Sequence, residues 1–307
     1  MGKELQIMKK LSIDSRTIAH VLMTIRVIFW GFDYIPAKWA LKLLGPTELT
    51  FLKYGMSFVF LSCVKICMKN WNLIRIKDIP LFLACSFFGQ VLYYQCEYNA
   101  MDYIPVSLLT IILAFVPVFS IITERVLYKR RSNALIVTGT VICIVGIFFI
   151  VGSDFHTLFA GKGIGYLLAF GAVFLWNTYN FITSSLKEYD TMTLTATQTL
   201  CTALMTAPFA LHTMPPLSEF TPEVFFSLFW ICIVSSGLGY IVSVYCLQVL
   251  GPTTVALYSD FLPVATAFFG ALFLHESITV FQAICGVVVI ISGFVVIFEK
   301  GKLDAQQ

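Results

Sequence analysis

The chain between Ile18 and Phe298 contains ten apolar stretches, each long enough to form a helix that crosses a membrane. A spanning helix needs about 20 mostly apolar residues, because the hydrocarbon core is about 30 Å thick and each helical residue rises about 1.5 Å. Inside lipid, every backbone polar group must be satisfied within the protein, which favours helices over open sheets. The sequence therefore predicts an all-α membrane protein with ten transmembrane helices. We place them at 18–44, 47–67, 79–101, 104–125, 133–152, 163–185, 192–211, 224–248, 253–274 and 278–298.

The second half of the chain repeats the first half. Landmark residues recur 146 positions later, as Trp30 and Trp176, Tyr94 and Tyr240, and Pro117 and Pro263. Because each repeat contains an odd number of spans, the second repeat would enter the bilayer from the opposite side. Inverted repeats enclose a central site that can open to either side, which is the architecture of secondary transporters. The predicted divisions are a cytoplasmic segment 1–17, a first five-helix repeat 18–152, an external linker 153–162, a second five-helix repeat 163–298 and a cytoplasmic tail 299–307.

Composition also indicates that the bilayer is the main solvent. Hydrophobic residues make up 58% of the chain and charged residues 12%, against about a quarter charged in soluble domains. The formal net charge of +3 is too small to indicate a nucleic-acid partner. All nine cysteines fall within apolar stretches, so we expect small buried residues, with no metal site and no other cofactor. No soluble catalytic domain is recognisable, and we predict neither catalytic residues nor enzyme activity.

The distribution of Lys and Arg orients the predicted helices. With the amino terminus in the cytoplasm, fourteen loop and terminal cations face inward and only Lys162 faces outward. Cytoplasmic loops carry such an excess of Lys and Arg, so both termini are predicted to be cytoplasmic. We expect a multi-pass protein of the plasma or inner cell membrane, surrounded by lipid and present as a monomer or a homodimer.

Several ionisable residues lie inside predicted spans, where a charge costs at least about 2.5–3.5 kcal/mol and therefore faces a partner or water. Asp33, near the middle of helix 1, could hold a cationic group or a proton in a polar cavity, and Lys38 could hold a carboxylate. The alternative for both is a structural ion pair that fixes helix packing. For Arg26 and Lys53 we expect a structural or interfacial role, because long cationic side chains near helix ends extend to the membrane surface.

Other candidates for a substrate cavity are polar and aromatic residues of helices 1, 3, 6 and 9. Glu97, near the outer end of helix 3, either lines the cavity or is simply hydrated, and Asp260 is a second candidate for a coupling carboxylate. For Trp30, Trp176, Asn177 and Asn180, helix packing is the alternative. Proline can bend a helix. The remaining cavity candidates are Trp30, Tyr94, Tyr98, Trp176, Asn177, Asn180 and Tyr258, and the hinge candidates are Pro36, Pro117 and Pro263.

A longer signature opens the first repeat. It reads Trp30-Gly31-Phe32-Asp33-Tyr34-Ile35-Pro36-Ala37-Lys38, followed by Gly45-Pro46-Thr47-Glu48-Leu49 and Lys53. The second repeat ends with Pro263, His275-Glu276, Gly286 and Gly293. Together these residues resemble the EamA-type branch of the drug/metabolite transporter (DMT) superfamily, although Asp33 stands where that branch has Asn. The resemblance implies two inverted five-helix repeats, with helices 1, 3, 4, 6, 8 and 9 lining the path and helices 5 and 10 at the periphery.

The leading hypothesis is a secondary active transporter that moves a small polar or amphipathic metabolite, such as an amino acid or an amine, by alternating access. The resemblance implies export, and protons are the candidate coupling ion. No ATP-binding loop is recognisable. Transport of nucleotide sugars or other phosphorylated metabolites is an alternative, disfavoured because no Lys or Arg lies between Lys187 and Glu299. A channel, or an intramembrane aspartyl enzyme using Asp33 and Asp260, represents a different class.

Overall fold

The computed structural model describes residues 14–68, 74–129, 132–151, 163–274 and 280–306, and within them it contains helices and no β-strand. The predicted all-α class is confirmed. The helices are numbered along the described residues as α1 (Ser15–Ala40), α2 (Pro46–Met68), α3 (Ile76–Tyr103), α4 (Val106–Leu113 and Val116–Tyr128), α5 (Ala134–Val151), α6 (Gly163–Ser185), α7 (Thr191–Thr213), α8 (Pro222–Leu250), α9 (Pro252–Leu257, Tyr258–Phe261 and Leu262–Leu274) and α10 (Val280–Gln306).

Seven helices in the described part of the chain are long and apolar enough to cross a membrane, namely α1, α2, α3, α4, α8, α9 and α10. The chain is therefore a multi-pass membrane protein. Two of the more polar helices, α6 and α7, have 23 residues each and are about 35 Å long, so their length also matches a bilayer. In α7 the polarity comes largely from threonines whose hydroxyls donate to backbone carbonyls of the preceding turn, as Thr195 does to Thr191 at 2.8 Å.

Helix boundaries depart from the predicted spans at the two ends of the chain. The first helix ends at Ala40 instead of residue 44, and the next residues form turns before Pro46, since a residue that precedes proline avoids the helical conformation. The last helix continues to Gln306, beyond the predicted end at residue 298. Its polar extension is held by partners on α4, where Glu124 pairs with Lys300 at 2.8 Å.

Irregular turns occur at matching places in the two halves. A wide, π-type turn interrupts α3 at Phe87–Leu92, and another interrupts α8 at Phe229–Leu238. The two halves of α4 and the segments of α9 meet just before Pro117 and Pro263, respectively. Pro36 differs from these two prolines because it lies inside the continuous helix α1. The repeat in the sequence is therefore accompanied by a repeat in helix irregularity.

Small residues allow close contact at the edge of the bundle, where α5 packs along α10. A Cβ atom added at Gly146 would lie 2.6 Å from Val289 Cγ2, so the glycine is needed for this helix contact. Elsewhere α2 packs along α7, α3 along α6, and α1 against α8 and α9. Helices α1, α3, α4, α6, α8 and α9 consequently surround the centre of the molecule.

The cysteines do not all follow the sequence prediction. Cys63 and Cys67 are exposed on α2, whereas Cys85 and Cys232 are among those that are buried. The prediction of burial is wrong for the first two because a small apolar side chain suits a lipid-facing helix surface as well as a protein interior.

Candidate functional site

A small cavity lies among α1, α3, α4, α6 and α9 at the centre of the molecule. Its volume of about 40 Å³ leaves room for water but is far below the roughly 300–1,000 Å³ of ligand pockets. The cavity as it stands is too small to hold a metabolite. Six residues predicted as substrate or coupling candidates line the cavity, namely Trp30, Asp33, Tyr94, Glu97, Tyr98 and Trp176.

Asp33 forms a buried ion pair with a lysine of the neighbouring helix. Lys53 Nζ lies 3.8 Å from Asp33 Oδ2, and Ser235 Oγ of α8 donates a 2.9 Å hydrogen bond to the same oxygen. The other oxygen, Oδ1, has no hydrogen-bond partner within the described ranges. The carboxylate thus keeps an unused acceptor while its charge is balanced by Lys53.

Lys53 is held by aromatic groups as well as by Asp33. Its side chain is 0% exposed, and Nζ lies 3.7 Å from the centre of the Tyr94 ring. Nζ also donates a 3.3 Å hydrogen bond to the hydroxyl of Tyr98. A cation over an aromatic face is stabilised by the ring quadrupole. Of the two roles expected for Lys53, the interfacial one is wrong, because these partners keep the ammonium inside the bundle; a structural role remains compatible with the ion pair.

Glu97 is the second carboxylate of the cavity. Tyr34 and Tyr93 donate hydrogen bonds of 2.9 and 2.8 Å to its Oε1. Glu97 is only 5% exposed, so the alternative of a hydrated residue at the outer end of α3 is wrong. The two phenol donors hold the carboxyl group in one orientation, next to the Asp33–Lys53 pair.

Arg26 lies on the same face of α1, two turns before Asp33. Its Cζ lies 3.1 Å from the centre of the Trp30 ring, and Nε donates a 3.1 Å hydrogen bond to the carbonyl of Gly239 in α8. The side chain is 3% exposed and lines the cavity. The interfacial alternative for Arg26 is therefore also wrong, whereas a structural role remains compatible with its hydrogen bond to Gly239.

Repeat-equivalent aromatic residues meet one another across the cavity. The ring centres of Trp30 and Trp176 are 5.3 Å apart in an edge-to-face arrangement. The hydroxyls of Tyr94 and Tyr240 are 3.3 Å apart, and Tyr54 donates a 2.7 Å hydrogen bond to Tyr240. These aromatic contacts join the two halves of the chain at the site.

Five other predicted candidates lie outside the cavity lining: Lys38, Asn177, Asn180, Tyr258 and Asp260. Lys38 is exposed, because its position on α1 is about 140° around the helix from Asp33. Asn177 accepts from Ser120 and donates to Thr123, so it joins α6 to α4.

The remaining three of these five are buried at other helix contacts. The hydroxyl of Tyr258 lies 2.7 Å from Nδ1 of His20. Asn180 is buried, and neither atom of its amide group has a hydrogen-bond partner in the described part of the protein. Asp260 is fully buried beside Cys143, in a segment that packs partly against α10. Because Asp33 and Asp260 do not line the same cavity, an aspartyl enzyme that uses this pair finds no support in the arrangement.

Three residues at the site are not among the predicted substrate or coupling candidates, namely Arg26, Lys53 and Ser235. Arg26 could have been found from its position seven residues before Asp33, and Lys53 from its match to the early cation of the family signature. Ser235 gave no such signal, because one serine in an apolar helix is ordinary. Across the described ranges, no group of three or more His, Cys, Asp or Glu side chains could hold a metal ion.

Comparisons with known proteins match almost the whole chain. The model of the EamA-like transporter family matches residues 17–152 and 163–298, once for each half. An uncharacterized transporter of Archaeoglobus fulgidus is 29% identical over 290 residues, covering 91% of this chain and 96% of that protein. The uncharacterized transporter YoaV of Bacillus subtilis is 21% identical over 268 residues, covering 87% of this chain and 91% of that protein.

The fold itself is also known. A solved crystal structure has a TM-score of 0.76 with this chain at 15% sequence identity, covering 92% of this chain and 98% of the other. At this identity the likeness concerns the fold alone. With two family matches that together include most of the described helices and the residues of the cavity, the chain belongs to the EamA-like transporter family.

Proposed function

We propose that the chain crosses the membrane ten times, as two inverted repeats of five helices with both termini in the cytoplasm of a cell membrane. The support comes from residues 146 positions apart, which meet each other in space. The pair Trp30 and Trp176 and the pair Tyr94 and Tyr240 are in contact, and Cys143 Sγ donates to Val289 O. Equivalent residues contact each other in this way where a two-fold axis passes between two copies of a unit.

The proposed function is secondary active transport of a small polar or amphipathic metabolite, such as an amino acid or an amine. A single observation carries it: a small cavity lined by residues of both halves holds buried charges of both signs among aromatic rings. Charges buried in a membrane protein mark substrate and ion pathways, because they are costly without a functional partner. Asp33, with its unpartnered oxygen, is the proposed site for a cationic group or a proton.

Contacts at both ends of the molecule are consistent with alternating access. At the predicted cytoplasmic end, Arg75 between α2 and α3 pairs with Glu188 between α6 and α7. At the predicted outer end, the Thr213 hydroxyl of α7 donates to Glu48 of α2. Each contact joins one repeat to the other. Breaking one contact while the other holds would open the cavity to one side, and the family expectation is that cargo leaves the cell.

Two steps test transport. A thermal-shift screen of the purified protein against amino acids, amines, nucleosides and sugars identifies a ligand, because binding to the native state raises the melting temperature. Flux of that ligand is then measured in proteoliposomes with imposed pH gradients of either sign. Saturable flux supports a carrier rather than a channel. Flux that does not respond to either gradient would exclude proton coupling and leave exchange or uniport.

The role of Asp33 is tested with two variants in the same flux assay. Asp33→Asn is expected to lose most transport, and so is the double variant Lys53→Met/Asp33→Asn, which removes both charges of the pair. The double variant controls for folding, because it leaves no unbalanced charge. Wild-type flux in this double variant would remove the Asp33 carboxylate from the mechanism.

Topology has a separate test. A membrane-impermeant amine reagent is applied to vesicles of known orientation, and the labelled lysines are identified by mass spectrometry. Lys187 and Lys302, which are both exposed, are expected to react from the same side. Reaction of these two lysines from opposite sides would refute the inverted arrangement.

A further inference from the structure

Arg26 is a buried cation that has no carboxylate partner within the described ranges. Among the described residues its contacts are the carbonyl of Gly239, the sulfur of Met23 at 3.6 Å and the face of Trp30. Its second terminal nitrogen, Nη2, has no hydrogen-bond partner in that part of the chain. An arginine carries five N–H donors and stays charged in proteins. The guanidinium therefore presents a positive charge and unused N–H donors at the wall of the cavity.

The carboxylates nearest to the site are already engaged elsewhere. Asp33 is paired with Lys53, and Glu97 accepts hydrogen bonds from two tyrosines. No carboxylate in the described ranges comes within 4.0 Å of Arg26, although ion pairs are present at other places. An isolated buried charge is expensive, so its partner is expected to arrive with the ligand.

We propose that Arg26 binds the carboxylate group of the cargo, so that the transported metabolite is a small carboxylate with an apolar body. The inference rests on the proposed transport function and narrows its substrate class. Guanidinium and carboxylate groups match in a bidentate arrangement, and the unused Nη2 supplies a donor for it. Trp30 and Trp176, which line the same cavity, provide apolar surface for the body of the ligand.

The positions of the charges along α1 indicate the length of this cargo. Arg26 and Asp33 are seven residues apart, so their Cα atoms are separated by about 10 Å along the helix axis on nearly the same face. Trp30 lies between them. A ligand whose carboxylate meets Arg26 can therefore place an amino or hydroxyl group towards Asp33. A phosphate dianion fits less well, because its two charges call for a second cation. Lys53, which lies beside the cavity, is already paired with Asp33.

The test compares acids with their neutral amides in the purified protein. The probes are acetate and acetamide, L-leucine and L-leucinamide, and 3-phenylpropionate and 3-phenylpropionamide. Binding is followed by tryptophan fluorescence and by the melting temperature. We expect the wild type to bind at least one of the larger acids saturably and at least tenfold more tightly than its amide. Acid and amide that bind equally, or no response to any acid, would overturn the proposal.

Variants of Arg26 separate binding from structure. In Arg26→Met the acid and the amide are expected to bind equally, and Arg26→Lys should retain part of the preference. Removing an unbalanced buried charge should leave the melting temperature of the ligand-free Arg26→Met protein unchanged or raise it. Arg16→Met, the same change on the same helix outside the cavity, is the control. A lower melting temperature with the acid preference intact would assign Arg26 to structure and refute the proposal.

The outcomes also distinguish this inference from the function on which it rests. Saturable flux of an amine in proteoliposomes, without any preference for acids in the binding assay, would support the transport function and refute the proposed role of Arg26. Arg26-dependent binding of an acid that is never transported would support the role of Arg26 in binding and contradict the transport of that acid.

Discussion

Replacing Lys53 with methionine removes the cation that balances Asp33 at the centre of the protein. Methionine is one atom shorter than lysine and, like it, unbranched, so it fills most of the same space beside the ring of Tyr94 without a charge. Asp33 then retains the 2.9 Å hydrogen bond from Ser235 and the neighbouring indole N–H of Trp230, but no cation that balances its charge in the described chain. The converse change, Asp33→Asn, leaves the ammonium of Lys53 with the hydroxyl of Tyr98 and an aromatic face. Each single variant therefore contains an unbalanced buried charge.

The geometry gives the size of the effect. At the observed separation of 3.8 Å, the attraction between the two charges is about 4 kcal/mol at an effective dielectric constant of about 20. Removing one partner of a buried pair lowers the free energy of unfolding by about 3–5 kcal/mol, because the other charge stays buried. Removing both charges is often close to neutral. The double variant Lys53→Met/Asp33→Asn should therefore recover most of the loss seen in either single variant.

A double-mutant cycle measures this coupling directly. The free energy of unfolding of the four proteins is determined in mixed micelles by titration with a denaturing detergent and followed by tryptophan fluorescence. The expected interaction term is about 3 kcal/mol or more, well above the roughly 0.3–0.5 kcal/mol of sites that do not interact. Losses that simply add in the double variant would show that each charge is balanced by other groups, and the ion pair would then have no role in stability.

Two further substitutions test packing and the second buried ion pair. Gly31→Ala should lower the free energy of unfolding by about 1–3 kcal/mol, because the new Cβ would overlap Ala265 of α9 and lie 3.0 Å from its backbone carbon. Gly163→Ala is the control, since a Cβ at Gly163 meets open space and the change should be nearly neutral. Both variants are compared with the wild type in a thermal-shift assay. Lys300→Met removes the buried 2.8 Å ion pair with Glu124 and should lower the melting temperature clearly. The exposed Lys302→Met should change stability by less than about 1 kcal/mol, and equal effects of the two lysines would contradict the importance of burial.

Much of the fold follows from local properties of the sequence. Apolar stretches of membrane-spanning length locate the helices, because in lipid a helix satisfies all backbone hydrogen bonds within one segment. The predicted span 163–185, for example, coincides with the helix Gly163–Ser185. The same reasoning identifies Asp33 and Glu97 as special, since any charge within such a stretch needs a partner. Both line the cavity. The family signature around Trp30 likewise reaches the site through residues that are close together in the sequence.

The choice of cations at the site depends on neighbouring helices. Lys38 and Lys53 are both lysines near the outer ends of predicted helices, and nothing in their immediate sequence separates them. Lys53 is buried because α1 and α3 bring Asp33 and Tyr94 to its side of α2, whereas Lys38 faces away from every such partner. Side-chain burial in a bundle is a property of the facing helices, and helical periodicity in one segment cannot supply it.

The sequence by itself determined that this chain is a duplicated helical membrane protein with charged residues inside its membrane-spanning segments. Hydrophobicity and repetition can be read from the order of the residues alone. Only the tertiary structure decided which charges meet. It placed Lys53 against Asp33, set Glu97 between two tyrosines and, among the residues it describes, left Arg26 without a carboxylate. These relations depend on how helices distant in sequence pack side by side.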